Sequence, residues 1–331
     1  MQDDTSLVYQ DLNPDTILDA VETQGHHCDG HLLALNSYEN RVYQIGVENA
    51  DPLIAKFYRP GRWSNEEIQE EHDFTRALHE AEIPVVTPTP NDSDETLFHH
   101  GSYRFTLYPR RGGHAPELDN PDHLEQLGRF VARIHNVGAL FPFQYRPTLN
   151  INGFGDDSRT FILGTDFIPP SLEEAYSSLT EDVLIAIRAC FERAGDVVHL
   201  RLHGDNHPGN ILCRDEAFHI VDFDDARMGP AIQDLWMFLS GDRDYMSKGL
   251  GDVLEGYTQF RDFNPAELNL IEALRALRQM HFSAWLARRW KDPAFPNAFP
   301  WFDSSRYWEN HILELREQLA AMQEYPLTWI G

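Results

Sequence analysis

The sequence predicts an α+β chain in two lobes, a small antiparallel-sheet lobe followed by a larger, mainly helical lobe. Short runs of β-forming residues, separated by polar or turn-forming residues, occupy the first third of the chain. After Gly113 the apolar residues recur at helical spacing, and a compact β-rich stretch at 200–223 interrupts them. The lobes join near residues 107–113, and ligands commonly bind in the crevice between two such lobes.

Helix-start signals locate the two helices expected in the sheet lobe. Asn13 before Pro14 is a cap followed by proline at the first helical position, which predicts a helix reaching Glu22. Ser64 with Glu67 forms a capping-box pattern, which predicts a helix to about Glu82. The expected strands are 31–35, 41–47, 52–58, 95–99 and 103–108.

The second lobe contains apolar stripes at helical spacing. Asn120 and Pro121 open one helix, with Leu124, Leu127 and Val131 on one face. The other expected helices are 171–194, 231–239, 246–260, 265–290 and 306–322.

Charge and composition limit the classes of partner. The chain has 331 residues, with 27 Lys and Arg against 53 Asp and Glu, and a formal net charge of −26. Binding of nucleic acid or anionic lipid requires a basic face, so neither is expected as a main function. The 3 cysteines form no C-x-x-C pair, and the chain shows neither a signal-peptide pattern nor a membrane-spanning apolar run. These features predict a soluble, cytoplasmic protein.

The segment His203–Leu212 and the acidic residue after the next apolar run contain the strongest chemical signal. Phosphoryl transfer from a nucleotide needs Mg²⁺, a group that orients the attacking hydroxyl, and neutralisation of phosphate charge. Asn210 and Asp222 offer an amide oxygen and a carboxylate, which are ligands that Mg²⁺ prefers. Asp205 offers a carboxylate for the hydroxyl.

This pattern, H-G-D-x-x-x-x-N followed by apolar-Asp, resembles the catalytic and metal segments of the aminoglycoside-phosphotransferase and choline-kinase group of protein-kinase-like enzymes. Lys56 resembles the strand lysine that contacts the nucleotide phosphates, and Glu71 the helix glutamate that pairs with it. Asp234 resembles the buried aspartate that supports the catalytic loop. The matches occur in the family's order over residues 54–236, which makes them specific together.

A closer resemblance covers nearly the whole chain. The segments 35–44, 56–60, 222–227 and 292–296 resemble the bacterial stress response kinase A family, also called YihE protein kinase. The resemblance implies a bilobal protein-kinase-like fold and a monomeric, Mg²⁺- and ATP-dependent Ser/Thr protein kinase that also phosphorylates itself. It implies nucleotide binding by 1–108 and catalysis and protein-substrate binding by 109–331.

The same resemblance implies roles for individual residues. Asp205 would be the proton acceptor, and Asn210 and the catalytic Asp222 would hold Mg²⁺. Ser37 would lie at the ATP phosphates, near Lys56 and Glu71.

The chain departs from other kinases at two places. Asp222 is followed by Phe223 and Asp224, so the Asp-Phe-Gly of eukaryotic protein kinases is not present. The nucleotide loop has no glycine between residues 35 and 45. Glycine-rich loops bind phosphate through exposed backbone N–H groups, so side chains of Ser37, Asn40 or Arg41 are candidates to share that role here.

Rival functions remain open at this stage. A small-molecule kinase acting on choline, homoserine or an aminoglycoside shares the catalytic segment, and an acidic cleft attracts amines and basic peptides alike. A pseudokinase-like module that binds ATP only structurally is a second rival, disfavoured by the joint presence of Lys56, Glu71, Asp205, Asn210 and Asp222.

Several residues also have structural interpretations. Asp205 and Asn210 are also common loop caps, and His203 and His207 have the spacing of zinc ligands, although a structural His203 is preferred. Asp224 and Asp225 are equally compatible with metal binding, an amine anchor or surface charge. Aromatic residues between Trp285 and Trp308 favour core packing over a cage for a quaternary amine.

Overall fold

The computed structural model describes residues 8–329. Its first lobe is a five-stranded antiparallel sheet in the order β1-β2-β3-β5-β4, preceded by α1 (Pro14–Glu22). The strands are β1 (Cys28–Ala34), β2 (Arg41–Val47), β3 (Leu53–Phe57), β4 (Phe98–His100) and β5 (Tyr103–Pro109). The expected strands are thus confirmed, although β1 begins earlier and β4 is shorter than the pattern suggested.

Helix α2 (Asn65–Glu80) lies between β3 and β4 in the chain and begins where the sequence predicts. The Ser64 hydroxyl accepts the Glu67 N–H at 3.1 Å, and the Glu67 carboxylate accepts the Ser64 N–H at 2.7 Å. This capping box satisfies two backbone donors that a free helix end leaves unpaired. It fixes the start of the helix, and so the position of Glu71 two turns later.

Six helices form most of the second lobe. They are α3 (Pro121–Gly138), α4 (Asp157–Leu163), α5 (Pro170–Ala194), α6 (Arg243–Tyr257), α7 (Ile271–Arg289) and α9 (Ser305–Gln323), with the short α8 (Ala294–Ala298) between the last two. The sequence did not predict α4 or α8. The expected helix at 231–239 is wrong, because the chain there forms two 3₁₀ turns, Ala231–Asp234 and Trp236–Phe238. The expected helix at 265–290 begins as a 3₁₀ turn, Pro265–Leu270.

Two small antiparallel pairs lie between α5 and α6. Strand β6 (His199–Leu202) pairs with β9 (Arg227–Pro230), and β7 (Ile211–Arg214) pairs with β8 (Ala217–Ile220). Between the strands run the two polar loops, 203–210 and 221–226, that contain the candidate catalytic residues. Strand pairing therefore brings both loops to one edge.

The apolar packing joins the lobes. The sheet has its own core with Ile45, Phe57 and Phe105, whereas Phe74 and Leu78 of α2 pack against Ile220 and Phe223 of the second lobe. The α+β class, with a small antiparallel sheet followed by a mainly helical part, is thus confirmed. The division at residue 108 stays a prediction. Among residues 8–329, no helix is both long and apolar enough to cross a membrane.

Candidate active site

Buried Asp234 fixes the loop that follows β6. Its carboxylate accepts the N–H groups of His203 at 2.8 Å and Gly204 at 2.9 Å, and His135 lies at 3.3 Å. Burial tends to raise the pKa of Asp234, but the hydrogen bonds from His135 and Gly204 hold that pKa below its usual range. Asp234 is a structural support, as the sequence suggested.

His203 has a structural role as well. It is fully buried, and its Nε2 lies 2.9 Å from the carbonyl oxygen of Val221, which ties the two polar loops together. No group of three or more His, Cys, Asp or Glu with metal-binding geometry occurs among residues 8–329.

Asp205 lies in the loop fixed by Asp234. Its Oδ1 accepts a hydrogen bond from Nη1 of Arg278, and its Oδ2 lies 3.6 Å from Nε2 of His207. The side-chain amide of Asn210 donates to the Asp205 carbonyl oxygen at 3.0 Å. That contact occupies the nitrogen of the Asn210 amide and leaves its oxygen for another partner.

Asn210 and Asp222 are brought together by the β7–β8 hairpin. Ile211 pairs with Ile220, and the N–H of Val221 donates to the Asn210 carbonyl at 2.9 Å. Asp222 has φ of 62°, a left-handed conformation that is uncommon outside glycine. Its side chain is 55% exposed to the crevice. One amide oxygen and one accessible carboxylate fit a magnesium ion that also binds phosphates and water.

Lys56 lies opposite, on β3. Its Nζ lies 3.0 Å from Asp224, 3.2 Å from Asp222 and 3.5 Å from Glu71. Burial tends to lower the pKa of Lys56, but these carboxylates outweigh it and hold that pKa well above the usual range. The predicted pair Lys56 and Glu71 is therefore in contact, together with an acidic residue whose role the sequence left open.

Sequence reasoning missed Arg146, which shares Glu71 with Lys56. Its side chain is fully buried, and Nη2 lies 3.1 Å from Oε2 of Glu71. Nη1 donates to the carbonyl oxygens of Asp224 at 2.9 Å and Ala226 at 2.8 Å. A lone arginine in a connecting segment has no sequence signature, because its partners come from distant parts of the chain.

Asp224 and Asp225 are anchors for arginines. Asp224 is 4% exposed and binds Arg62 as well as Lys56, and Asp225 lies 3.0 Å from Arg62 and 2.6 Å from Arg227. Burial tends to raise the pKa of Asp224, but Arg62 and Lys56 lower it to about 2. Surface charge is therefore wrong for Asp224. Arg62, which the sequence did not single out, joins both carboxylates to the sheet lobe.

The turn between β1 and β2 holds the predicted phosphate-binding side chains. The Ser37 hydroxyl donates to the Asn40 carbonyl at 3.1 Å. The side-chain oxygen of the buried Asn40 accepts the N–H of Arg59 at 3.1 Å, and Arg41 forms an ion pair with Asp292 at 3.3 Å. All three side chains are thus engaged within the protein. Ser37 stays the predicted phosphate contact, because its hydroxyl has a single partner and can rotate away from it.

Glu39 connects this turn to helix α7. Its carboxylate accepts hydrogen bonds from the Trp285 indole and, at 3.0 Å, from Nε of Arg289. Glu39 is 9% exposed, so the contact is well shielded from water. The turn is thereby held by the helical lobe instead of by glycine-rich backbone.

A cavity of about 220 Å³ opens beside Asp205. Phe154, Phe282 and Trp285 line it, and of these Trp285 belongs to the predicted aromatic cluster. The other aromatic residues of the predicted cluster do not line it, and Phe295, Phe302 and Trp308 are fully buried in the helical core. The cluster therefore mainly packs the core.

The geometry can be compared with known proteins. A sequence model described as the phosphotransferase enzyme family matches residues 31–277. The chain is 43% identical over 323 residues to stress response kinase A of Escherichia coli O157:H7, covering 98% of this chain and 97% of that one. It is 42% identical over 324 residues to the serine/threonine protein kinase RdoA of Salmonella typhimurium strain LT2, covering 98% of each chain.

Solved structures support the fold. An amicoumacin kinase in complex with AMP-PNP, Ca²⁺ and Ami aligns with a TM-score of 0.75 at 18% identity, covering 100% of this chain and 98% of that one. A spectinomycin phosphotransferase in complex with ADP and spectinomycin aligns with a TM-score of 0.66 at 15% identity, covering 92% and 98%. The chain therefore belongs to the phosphotransferase enzyme family and, within it, to the stress response kinase A family.

Proposed function

We propose that this kinase transfers the γ-phosphoryl group of ATP to a serine or threonine hydroxyl of a protein. The observation that carries the proposal is that Asp205, Asn210 and Asp222 lie on two loops joined by the β7–β8 hairpin, with Lys56 of the sheet lobe 3.2 Å from Asp222. These residue types match the requirements of phosphoryl transfer, which depends mainly on positioning and charge stabilisation.

Each residue has a distinct role in the proposal. Asp205 accepts the proton of the attacking hydroxyl and holds its oxygen in line with the phosphorus. Lys56, kept charged by its carboxylate neighbours, contacts ATP phosphates. The Ser37 hydroxyl rotates from the Asn40 carbonyl and donates a hydrogen bond to the phosphates. Asn210 and Asp222 would hold Mg²⁺, which would supply positive charge to neutralise the charge that develops on the phosphates. The bond from the γ-phosphorus to the bridging oxygen breaks, and ADP leaves.

The acceptor is supported by the relatives of the chain. Its match at 42% identity to a protein named serine/threonine protein kinase spans nearly the whole length of both chains. A small-molecule acceptor is the rival, because the structural neighbours include kinases of antibiotics and the 220 Å³ cavity beside Asp205 would admit a small ligand. The neighbours are only 15–18% identical, so their likeness concerns the fold.

The test uses ATP labelled at the γ-phosphate with Mg²⁺, supplied with generic protein acceptors, with small amines that bear hydroxyls, or with the chain alone. Label on protein, including the chain itself, supports the proposal. Label only on a small hydroxyl compound supports the rival, and nucleotide binding without transfer supports a binding module.

Asp205→Asn tests the assigned proton acceptor. We expect the rate to fall by about a hundredfold or more, the range found for a lost general base. Asp156→Asn, which removes a surface carboxylate paired with Arg188, is the matched control and retains the rate. Near-normal turnover in the folded Asp205 variant would contradict the assignment.

Asp222→Ala should weaken Mg²⁺·ATP binding measured by calorimetry, whereas Asp156→Ala should not.

A further inference from the structure

The cavity beside Asp205 is where an acceptor hydroxyl would have to enter. Three arginines line it, namely Arg62, Arg227 and Arg278, and so do three carboxylates, namely those of Glu39, Asp205 and Asp225. Because the formal charges balance, the total charge of the wall does not select an acceptor. The way in which these groups pair does show which charged group is available to an acceptor.

Most of these charges have partners that a reaction would leave intact. Arg62 binds Asp224 and Asp225, and Arg227 lies 2.6 Å from Asp225. Glu39 accepts hydrogen bonds from Trp285 and Arg289. None of these contacts involves the carboxylate assigned to receive the proton. The two arginines and two carboxylates are thus neutralised in place.

Arg278 is different. Among residues 8–329, its guanidinium donates a hydrogen bond to Asp205 alone, and its side chain is 45% exposed. It lies on α7 beside Leu274 and Leu277, which are buried in the helical core and also line the cavity. Its partner is the one carboxylate of the wall that accepts a proton in the proposed mechanism.

Turnover would weaken this pair. Arg278 donates to Oδ1 of Asp205, whereas Oδ2 lies 3.6 Å from His207, beyond hydrogen-bond distance, and is open to an incoming hydroxyl beside Arg278. When Asp205 receives the proton of that hydroxyl, the guanidinium loses its anionic partner. A guanidinium binds carboxylates with paired donors and always remains charged. An acceptor with its own carboxylate would restore what Arg278 loses.

We propose that Arg278 is a specificity-determining residue that binds a carboxylate of the acceptor, so that this kinase prefers serine or threonine flanked by Asp or Glu. The inference rests on the proposed function, whose acceptor class it narrows. A basic acceptor would place like charge beside Arg278, while the remaining carboxylates of the wall are already paired.

The experiment measures kcat/KM for one serine peptide in neutral form and in versions with a single Glu scanned along either side of the serine. The enzymes are the unmodified chain, Arg278→Gln, Arg278→Lys and Arg188→Gln. Arg188 is the matched control, because it is 47% exposed and paired with Asp156 outside the cavity. Thermal unfolding checks that each variant is folded.

We expect at least one acidic peptide to exceed the neutral peptide by about tenfold, the ratio that corresponds to ~1.4 kcal/mol of binding. Arg278→Gln should abolish this preference, Arg278→Lys should retain part of it, and Arg188→Gln should leave it unchanged. Equal rates for acidic and neutral peptides with the unmodified chain would overturn the inference alone. The inference would also be overturned if Arg278→Gln kept the preference for the acidic peptide, or if it lowered kcat/KM equally for the acidic and the neutral peptide. If no peptide is labelled while small hydroxyl compounds are, the protein acceptor itself is wrong.

Discussion

Arg146 donates from Nη2 to Oε2 of Glu71 across 3.1 Å, and neither side chain is more than 1% exposed. The pair links helix α2 to the segment after α3, so it couples the helix that contacts Lys56 to the second lobe. Truncating one partner of a buried pair leaves the other charge without compensation.

Arg146→Met should lower the free energy of unfolding by about 3–5 kcal/mol, the range for a broken buried ion pair. Urea denaturation followed by circular dichroism measures this loss. Arg188→Gln removes an arginine that is 47% exposed and should cost no more than about 1 kcal/mol. If both variants lost the same stability, Arg146 would not be acting as a buried partner of Glu71.

Gly204 occupies a position that only glycine fits. Its φ is +85°, and an added Cβ would lie 2.2 Å from the backbone oxygen of Asp225. Gly204→Ala should displace the loop that holds Asp205, so phosphoryl transfer should fall by more than tenfold at saturating ATP. Gly195 is the control, since its φ is +66° and an added Cβ meets nothing within 4 Å.

Gly195 has ψ of −150°, so we expect Gly195→Ala to cost backbone strain of about 1–3 kcal/mol and to retain turnover. Parallel measurements of the free energy of unfolding and of kcat separate the two effects. Equal turnover in the two variants would show that the close approach to Asp225 does not fix the catalytic loop.

Glu39 holds the phosphate-binding turn against helix α7. Glu39→Gln keeps the shape of the side chain but removes the charge that Arg289 and Trp285 bind. Loss of a charged hydrogen bond is worth about 1.5–3 kcal/mol, so KM for ATP should rise by about tenfold or more. Initial rates at varied ATP measure it. Glu48→Gln, at an exposed site after β2, should leave KM unchanged. An unchanged KM for ATP in Glu39→Gln would show that the charge of Glu39 is not needed to hold the turn for ATP binding.

Glu267 makes stability depend on pH. Burial raises the pKa of this carboxyl from 4.5 to about 7, and its Oε2 accepts the Ile232 N–H at 2.9 Å. Because the folded pKa is the higher one, its contribution to stability is complete below pH 4.5 and is lost as pH rises through about 7. A difference of this size corresponds to about 3 kcal/mol.

Glu267→Gln keeps an acceptor for Ile232 and cannot ionise. We therefore expect its free energy of unfolding to decline less between pH 5 and pH 7.5 than that of the unmodified chain. Urea denaturation at the two pH values gives the comparison, with the exposed Glu309→Gln as control. A pH slope unchanged by Glu267→Gln would mean that this carboxyl ionises at its ordinary pKa.

The sequence by itself determined the elements with local signals. The caps at Asn13, Ser64 and Asn120 predicted the starts of α1, α2 and α3, because a capping side chain bonds to backbone within three residues. The order and spacing of Lys56, Glu71, Asp205, Asn210 and Asp222 predicted a kinase site. The 3₁₀ turns at 231–238 were wrongly predicted as a helix, because the spacing of their apolar residues resembles that of a helix.

Only the tertiary structure decided how the charges pair. The net charge of −26 did not distinguish amines from basic peptides as acceptors, because an acidic cleft attracts both. Folding brings Arg62 and Arg146 to the carboxylates around Lys56, and it brings Arg278 to Asp205. The partners in these pairs are separated by at least 73 residues in the sequence. Ion pairs depend on distance in space, and no local pattern encodes a distance between residues so far apart in sequence. The residue types defined the chemistry, and the fold determined which charges remain available for a substrate.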